Sequence, residues 1–96
     1  MTADLTAAQP DRLSAHATDL ARLVGHAVHP DGGFGWLDPS NRVVASRPVE
    51  TWITCRMTHV AALEVIRGGA AAEPLRPLLD IGYAALRGRL RDPAYG

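Results

Sequence analysis

The stretch Arg47-Pro48-Val49-Glu50-Thr51-Trp52-Ile53-Thr54-Cys55-Arg56-Met57-Thr58-His59-Val60 decides the fold of this 96-residue chain. It predicts a helix over about 48–67, since a proline suits the first helical turn and Gly68-Gly69 suits a helix end. Apolar residues cover most of the circumference of this helix, which is typical of a helix surrounded by protein. The lone cysteine of the chain lies within that run, so we expect Cys55 to be a buried and unreactive thiol.

One stripe of this helix carries polar chemistry among the apolar residues. Trp52, Arg56 and His59 fall at positions i, i+4 and i+7, which share one face of a helix. A guanidinium is costly to bury without a partner. Arg56 therefore faces either a carboxylate from another helix or a wet cavity that holds a polar ligand. Periodicity alone leaves both readings open, with Trp52 belonging to the core in the first and to a binding site in the second.

Two amphipathic helices are predicted on either side of this element, over about 11–29 and about 74–90. The apolar face of the first comprises Leu13, Ala17, Leu20, Val24, Ala27 and Val28. The apolar face of the helix at about 74–90 comprises Leu75, Leu78, Leu79, Gly82, Leu86 and Leu90. Residues 1–10 are predicted to form a flexible arm, and residues 11–96 a helical domain. The expected fold class is therefore all-α.

The connection at about 31–46 is rich in turn-forming residues and could pair back on itself as a short hairpin. It carries two large aromatic side chains, Phe34 and Trp36. These could cap the helix ends and fix the loop, or the loop could shape one end of a ligand pocket.

Composition excludes several classes of function. Ten basic and ten acidic residues give a formal net charge of zero, so nothing indicates binding to nucleic acid or to an anionic membrane. The sequence contains no signal peptide and no apolar run long enough to cross a bilayer. A single cysteine cannot form an internal disulfide and fits a reducing compartment. We therefore expect a cytoplasmic location.

Metal binding and catalysis find little support in the residue pattern. His26 and His29, with Asp31 nearby, have a spacing that metal sites use. No third ligand stands at helical spacing, and Pro30 turns the chain away directly after His29. We therefore expect no metal site. No paired carboxylates or positioned nucleophile indicate catalytic residues.

Two motifs together resemble a known family. The segment 47–60 quoted above, preceded by His29-Pro30-Asp31-Gly32-Gly33-Phe34-Gly35-Trp36-Leu37-Asp38, resembles the N-terminal region of the N-acylglucosamine 2-epimerase family, and most of all its mannose and sulfoquinovose isomerase branch. The resemblance runs from about Leu20 to the end of the chain. It implies that the three helices are the N-terminal portion of an (α/α)6 barrel, with the second helix in the inner ring.

The resemblance also implies which residues bind the ligand. In that family a Trp-x-x-x-Arg pattern points into the central cavity and contacts the sugar, and Trp52 and Arg56 match it. The resemblance gives no role to His59, one turn further on the same stripe, and we expect it either to be structural or to support the site without contacting the sugar. The implied reaction is aldose–ketose isomerisation, or epimerisation at C2, of a mannose-like sugar through an enediol intermediate, without a metal or organic cofactor.

The catalytic residues of such an enzyme are not expected within this chain. The family uses two histidines from much later helices, and none of the four histidines of this chain matches their positions. Residues 91–96 read like the opening of another turn, so we expect a chain truncated at its C-terminus and inactive alone. The alternative is a stand-alone helical interaction or dimerisation module without catalysis, which self-associates through exposed apolar helix faces. A glycoside-cleaving enzyme would need two carboxylates at a cleft, and the sequence does not indicate such a pair.

Overall fold

The computed structural model describes the backbone of residues 2–95 and the side chains of residues 10–95. Three helices follow one another along the chain: α1 (Thr2–His26), α2 (Thr51–Arg67) and α3 (Ala72–Arg87). Within this described range there is no strand, which confirms the all-α prediction. None of the three helices has the length and apolarity needed to span a membrane.

The first helix differs from its prediction in both extent and orientation. It begins at Thr2 instead of residue 11 and continues through Pro10; the predicted flexibility of residues 1–10 stays a prediction, and Met1 lies outside the described residues. The predicted apolar face is wrong over its first half, because Leu13 and Leu20 are exposed. Val24 and Ala27 of the predicted face are buried, Ala27 directly after the helix, and Thr18 and Ala21 are buried beside them. The physical reason is the Thr18 hydroxyl, which donates a hydrogen bond to a buried carboxylate of α2 and turns that side of the helix inward.

The second helix begins three residues later than predicted. Glu50, directly before it, has an extended backbone (φ −114°, ψ 144°), and Val49 is buried in that extended segment. The C-terminal end is confirmed at the two glycines. Gly68 adopts a left-handed conformation with φ 69°, which a glycine adopts without steric cost. Its N–H and that of Gly69 donate to carbonyls of the last helical turn at 3.1 Å each.

Within the part of the chain whose side chains are described, one face of α2 is covered and the other is open. The buried face comprises Ile53, Thr54, Ala61 and Glu64. On the other side Leu63 and Ile66 remain 52% and 81% exposed. The expectation that protein surrounds this helix, and that Cys55 is buried, is therefore wrong for the chain described here: Cys55 is exposed. The physical reason is that α1 and α3 pack on the same side of α2.

The third helix approaches α2 closely. It begins at Ala72, two residues before its predicted start, and ends at Arg87, three residues before its predicted end. Leu75 and Gly82 are buried on the predicted apolar face. A Cβ atom at position 82 would overlap the hydroxyl of Thr58 on α2 and would lie 3.1 Å from the ring of Phe34. A glycine is therefore needed for this helix contact.

The connection between α1 and α2 contains the predicted turns but no regular hairpin. Its pairing is limited to two isolated antiparallel bridges, Val28 with Phe34 and Leu37 with Val43. Phe34 is fully buried, and its N–H donates to the hydroxyl of Thr54 on α2 at 3.2 Å. The loop is thus fixed to the core through Phe34, and the residues that follow reach the N-terminal end of α2.

Candidate functional site

Trp52 and Arg56 lie side by side on the first two turns of α2, as their i, i+4 spacing requires. The guanidinium carbon of Arg56 is 5.8 Å from the centre of the Trp52 ring system, within the range of a cation–π interaction. Both residues are exposed, and Trp52 keeps 52% of its surface open to solvent. Arg56 has no carboxylate partner among the described residues. This arrangement does not match the reading in which Trp52 is core and Arg56 is ion-paired within the chain.

The indole of Trp52 is held by the residue before the helix. Its Nε1–H donates to the carboxylate of Glu50 at 2.5 Å. Glu50 occupies the N-cap position, where the preferred residues are those with shorter polar side chains, such as Ser and Asp. Its side chain makes no capping hydrogen bond. The carboxylate therefore fixes the ring of Trp52 instead of closing the end of α2.

Trp36 from the loop is the second aromatic of the site. Its ring meets that of Trp52 in a T-shaped contact, with 5.5 Å between centroids and an interplanar angle of 79°. The guanidinium of Arg47 lies over the Trp36 ring at 4.2 Å. The Nε1 atom of Trp36 is buried and has no hydrogen-bond partner among the described residues. Two indoles are thus packed together, each with an arginine over its ring.

These residues enclose a groove of about 170 Å³. Its lining is formed by Gly35, Trp36, Leu37, Trp52, Ile53, Arg56 and Met57. The lining is almost wholly apolar, with one guanidinium at its rim. A volume of this size is below the range of about 300–1,000 Å³ in which small-molecule pockets usually fall. The groove therefore has the character of one wall of a binding site.

A wider and shallower depression begins on the other side of Trp52 and Arg56. It is lined by Trp52, Cys55, Arg56, His59 and Val60. His59 is exposed and lies on the same stripe as Arg56, as its i+3 position predicts. The structure therefore brings together all three residues singled out from the sequence.

The histidines that resembled part of a metal site do not assemble one. His29 is buried, its Nδ1 accepts the N–H of Asp31 at 3.0 Å, and its Nε2 lies 3.0 Å from the carbonyl oxygen of Arg47. That carbonyl requires a donor, so the ring is in the Nε2–H tautomer and both nitrogens are engaged. His29 therefore ties together the two ends of the loop. Across residues 10–95, no three His, Cys, Asp or Glu side chains are close enough to hold a metal ion.

Among residues 10–95, the most buried charged side chain is one that no pattern in the sequence singles out. Glu64 on α2 is 2% exposed and accepts hydrogen bonds from the Thr18 hydroxyl (2.7 Å), the Ala71 N–H (3.1 Å) and the guanidinium of Arg67. Burial alone would raise the pKa of its carboxyl group. The three hydrogen bonds and the positive charge of Arg67 outweigh burial, so the pKa lies below its ordinary value. Helical spacing gives no sign of this role, because two of the three partners, Thr18 and Ala71, lie outside α2.

Comparison with known proteins gives two relatives with a common name. The chain is 47% identical over 85 residues, or 86% of its length, to a protein of Thermobifida fusca named D-mannose isomerase. It is 39% identical over 79 residues, or 78% of its length, to a D-mannose isomerase of Pseudomonas cannabina pv. alisalensis. The chain spans 20% and 18% of these two relatives.

No protein-family model and no solved structure matches this chain. The resemblance to the mannose isomerase branch is nonetheless confirmed by the identities above, whereas the wider epimerase family and the barrel architecture stay predictions. Over most of its own length and about a fifth of theirs, the chain is a homologue of the D-mannose isomerases.

Proposed function

We propose that this chain is the N-terminal part of a sugar isomerase or 2-epimerase, and that Trp52 and Arg56 contact the sugar. The reaction would be isomerisation between aldose and ketose, or epimerisation at C2, of a mannose-like sugar through an enediol intermediate. The observation that carries the proposal is the exposed pair of Trp52 and Arg56 at the rim of an apolar groove, in a chain homologous to proteins named D-mannose isomerase.

The chemistry of the pair suits a sugar. A pyranose has an apolar face made of C–H groups and a rim of hydroxyl groups. The half-exposed indole of Trp52 offers a flat apolar surface to the C–H face. The guanidinium of Arg56 offers several N–H donors in a fixed plane to the hydroxyl groups. His59 lies one turn further along α2 and would support the same surface.

The proton-transfer step belongs outside this chain. Moving a proton between C1 and C2 requires a general acid–base group close to both carbons. His29 uses both ring nitrogens in holding the loop, and no other histidine matches the position of a catalytic histidine. We therefore propose that the chain binds and orients the sugar without turning it over. In this proposal the three helices belong to an (α/α)6 barrel of a cytoplasmic enzyme that needs no cofactor.

A hybrid enzyme tests this proposal. The matching 85 residues of the Thermobifida fusca D-mannose isomerase are replaced by those of this chain, and conversion of D-mannose to its ketose is measured. Replacing Arg56 by Gln removes charge-assisted hydrogen bonds, so we expect KM to rise at least about tenfold. The matched control is Arg87→Gln, because Arg87 lies over the ring of Tyr83 at 5.3 Å in the same i, i+4 arrangement on α3. Equal effects of the two substitutions would contradict the proposal.

A second candidate function rests on a different observation. Leu63 and Ile66 on α2, together with Leu20 on α1, expose apolar surface on one side of the helices. A stand-alone interaction module would bury such a surface against a second copy of the chain. Analytical ultracentrifugation separates the two candidates, since a defined dimer with cooperative melting favours the module. A monomer, or undefined aggregation, favours part of an isomerase.

A further inference from the structure

The Nε1–H of Trp52, the one hydrogen-bond donor of its side chain, is already bonded to Glu50. An indole has one polar hydrogen, at Nε1. In Trp52 it donates to the carboxylate of Glu50. A ligand that hydrogen-bonds to this N–H would have to displace a carboxylate from it. The part of Trp52 that remains free is therefore the surface of the ring.

The ring is also fixed from a second direction. Trp36 contacts it in a T-shaped arrangement at 5.5 Å, and Arg47 lies over Trp36 in turn. Phe34, two residues before Trp36, is fully buried and holds this part of the loop in place. Two independent contacts thus hold the indole at one orientation, while 52% of Trp52 stays exposed.

Glu50 lies at the N-cap of α2, but its side chain contacts Trp52 and not the helix N–H groups. A carboxylate at the N-cap accepts a backbone N–H and interacts with the positive end of the helix dipole. Glu50 is placed for that role but makes no capping bond. Its carboxylate is committed to the indole of a residue two positions later, where it determines the direction in which the ring faces.

We propose that Glu50 is the positioning residue of the site and that Trp52 contacts the sugar through its ring face, not through its N–H. This inference rests on the proposed function above. It assigns the two kinds of recognition to two side chains. Trp52 takes the apolar C–H face of a pyranose, and Arg56 supplies the hydrogen bonds to its hydroxyl groups. Trp36 supports the ring from the side of the groove.

The test uses the 96-residue chain labelled with ¹⁵N, in which the two tryptophans give two indole N–H signals. Replacing Trp36 by Phe assigns them. D-mannose is titrated into the chain, and the dissociation constant is measured from the side-chain signal of Arg56. We expect the Trp52 indole signal to keep its carboxylate-bound position throughout the titration.

Three substitutions separate the ring from its N–H. Trp52→Phe keeps a flat aromatic face without the donor, and we expect affinity to fall by no more than about threefold. Trp52→Leu removes the face, and we expect a loss of about tenfold, the factor that corresponds to 1.4 kcal/mol. Glu50→Ala releases the ring and should weaken binding by about threefold while its indole signal moves to a solvent-exposed position. Glu50→Gln keeps an acceptor and should restore both affinity and signal.

The outcomes distinguish this inference from the proposed function. If Trp52→Phe weakens binding as much as Trp52→Leu, or if D-mannose moves the Trp52 indole signal as Glu50→Ala does, the N–H is the contact and the inference is wrong while the sugar site stands. If the isolated chain gives no saturable response to D-mannose, the same substitutions are compared through the KM of the hybrid enzyme. There, an unchanged KM for both Arg56→Gln and Trp52→Leu contradicts the proposed sugar site itself.

Discussion

Replacing Glu64 by Gln is the substitution with the largest effect on stability that the structure predicts. The side chain of Glu64 is 1% exposed, and its two oxygens accept bonds from Thr18, Ala71 and Arg67. A glutamine has one oxygen, so its NH2 group must face at least one of these donors. The substitution also leaves the guanidinium of Arg67 without its counter-charge, although 35% of that side chain reaches solvent.

The magnitude follows from these partners. Removing one member of a buried ion pair costs about 3–5 kcal/mol, and the partial exposure of Arg67 places the expected value near the lower end. A domain of this length has a free energy of unfolding of about 5–14 kcal/mol. A loss of about 3 kcal/mol would lower the melting temperature by about 12–24 °C, at 4–8 °C for each kcal/mol.

Thermal unfolding followed by circular dichroism measures this loss, and the chain offers a matched control. Glu73 on α3 also pairs with an arginine three residues later, Arg76, but these side chains are 84% and 58% exposed. Exposed pairs contribute about 0–1 kcal/mol, so Glu73→Gln should lower the melting temperature by no more than about 4–8 °C. Equal melting temperatures for Glu64→Gln and Glu73→Gln would refute the assignment of Glu64 as a buried link between the three helices.

The same carboxylate predicts a dependence on pH. The pKa of Glu64 lies below its ordinary value in the folded chain, despite burial, because Thr18, Ala71 and Arg67 stabilise the charged form. The unfolded chain therefore binds a proton at a higher pH than the folded chain does. The contribution of Glu64 is fully present above the unfolded pKa of about 4.3 and is lost as the pH falls through the lower folded value. The difference in stability between the unsubstituted chain and Glu64→Gln should accordingly shrink below about pH 4.

Three further predictions address packing and activity. Gly82→Ala should lower the free energy of unfolding by about 1–3 kcal/mol, since the added methyl group overlaps the Thr58 hydroxyl. Denaturant titration measures this loss, and the double substitution Gly82→Ala with Thr58→Ala should restore most of it. Thr54→Val should cost about 1–3 kcal/mol in the same assay, because the buried N–H of Phe34 then loses its acceptor; an unchanged midpoint would contradict this anchor. The purified chain alone should form no ketose from D-mannose above the buffer background, and formation of ketose would show that its own residues transfer the proton.

The helices could be predicted from the sequence because their signals are local. The glycine pair ends α2 where a left-handed residue is required, and the apolar spacing of α3 places Leu75 and Gly82 in the core. The start of α2 could not be predicted in the same way. Pro48 is suited to a first helical turn, but the burial of Val49 keeps this segment extended up to Glu50.

The same distinction applies to the candidate site. Trp52 and Arg56 are neighbours because of helical spacing alone, so the sequence was sufficient to pair them. Glu50 lies two residues from Trp52 across the start of the helix, where helical spacing no longer applies. Glu64 reads as a lone charge in an apolar run, because two of its partners, Thr18 and Ala71, lie outside α2. Contacts between elements carry no local signal in a single sequence.

The loop connects the stability of the core to the geometry of the groove. The N–H of Phe34 is bonded to Thr54 in the first turn of α2. Trp36, two residues after Phe34, contacts Trp52, two residues before Thr54. Gly35, between Phe34 and Trp36, is tightly enclosed, since a Cβ atom there would lie 3.0 Å from the side chains of His29 and Val43. The position of Trp36 is therefore determined by the packing of Phe34. A ligand surface formed by Trp52 and Arg56 thus depends on a hydrogen bond in the core that the ligand itself does not touch.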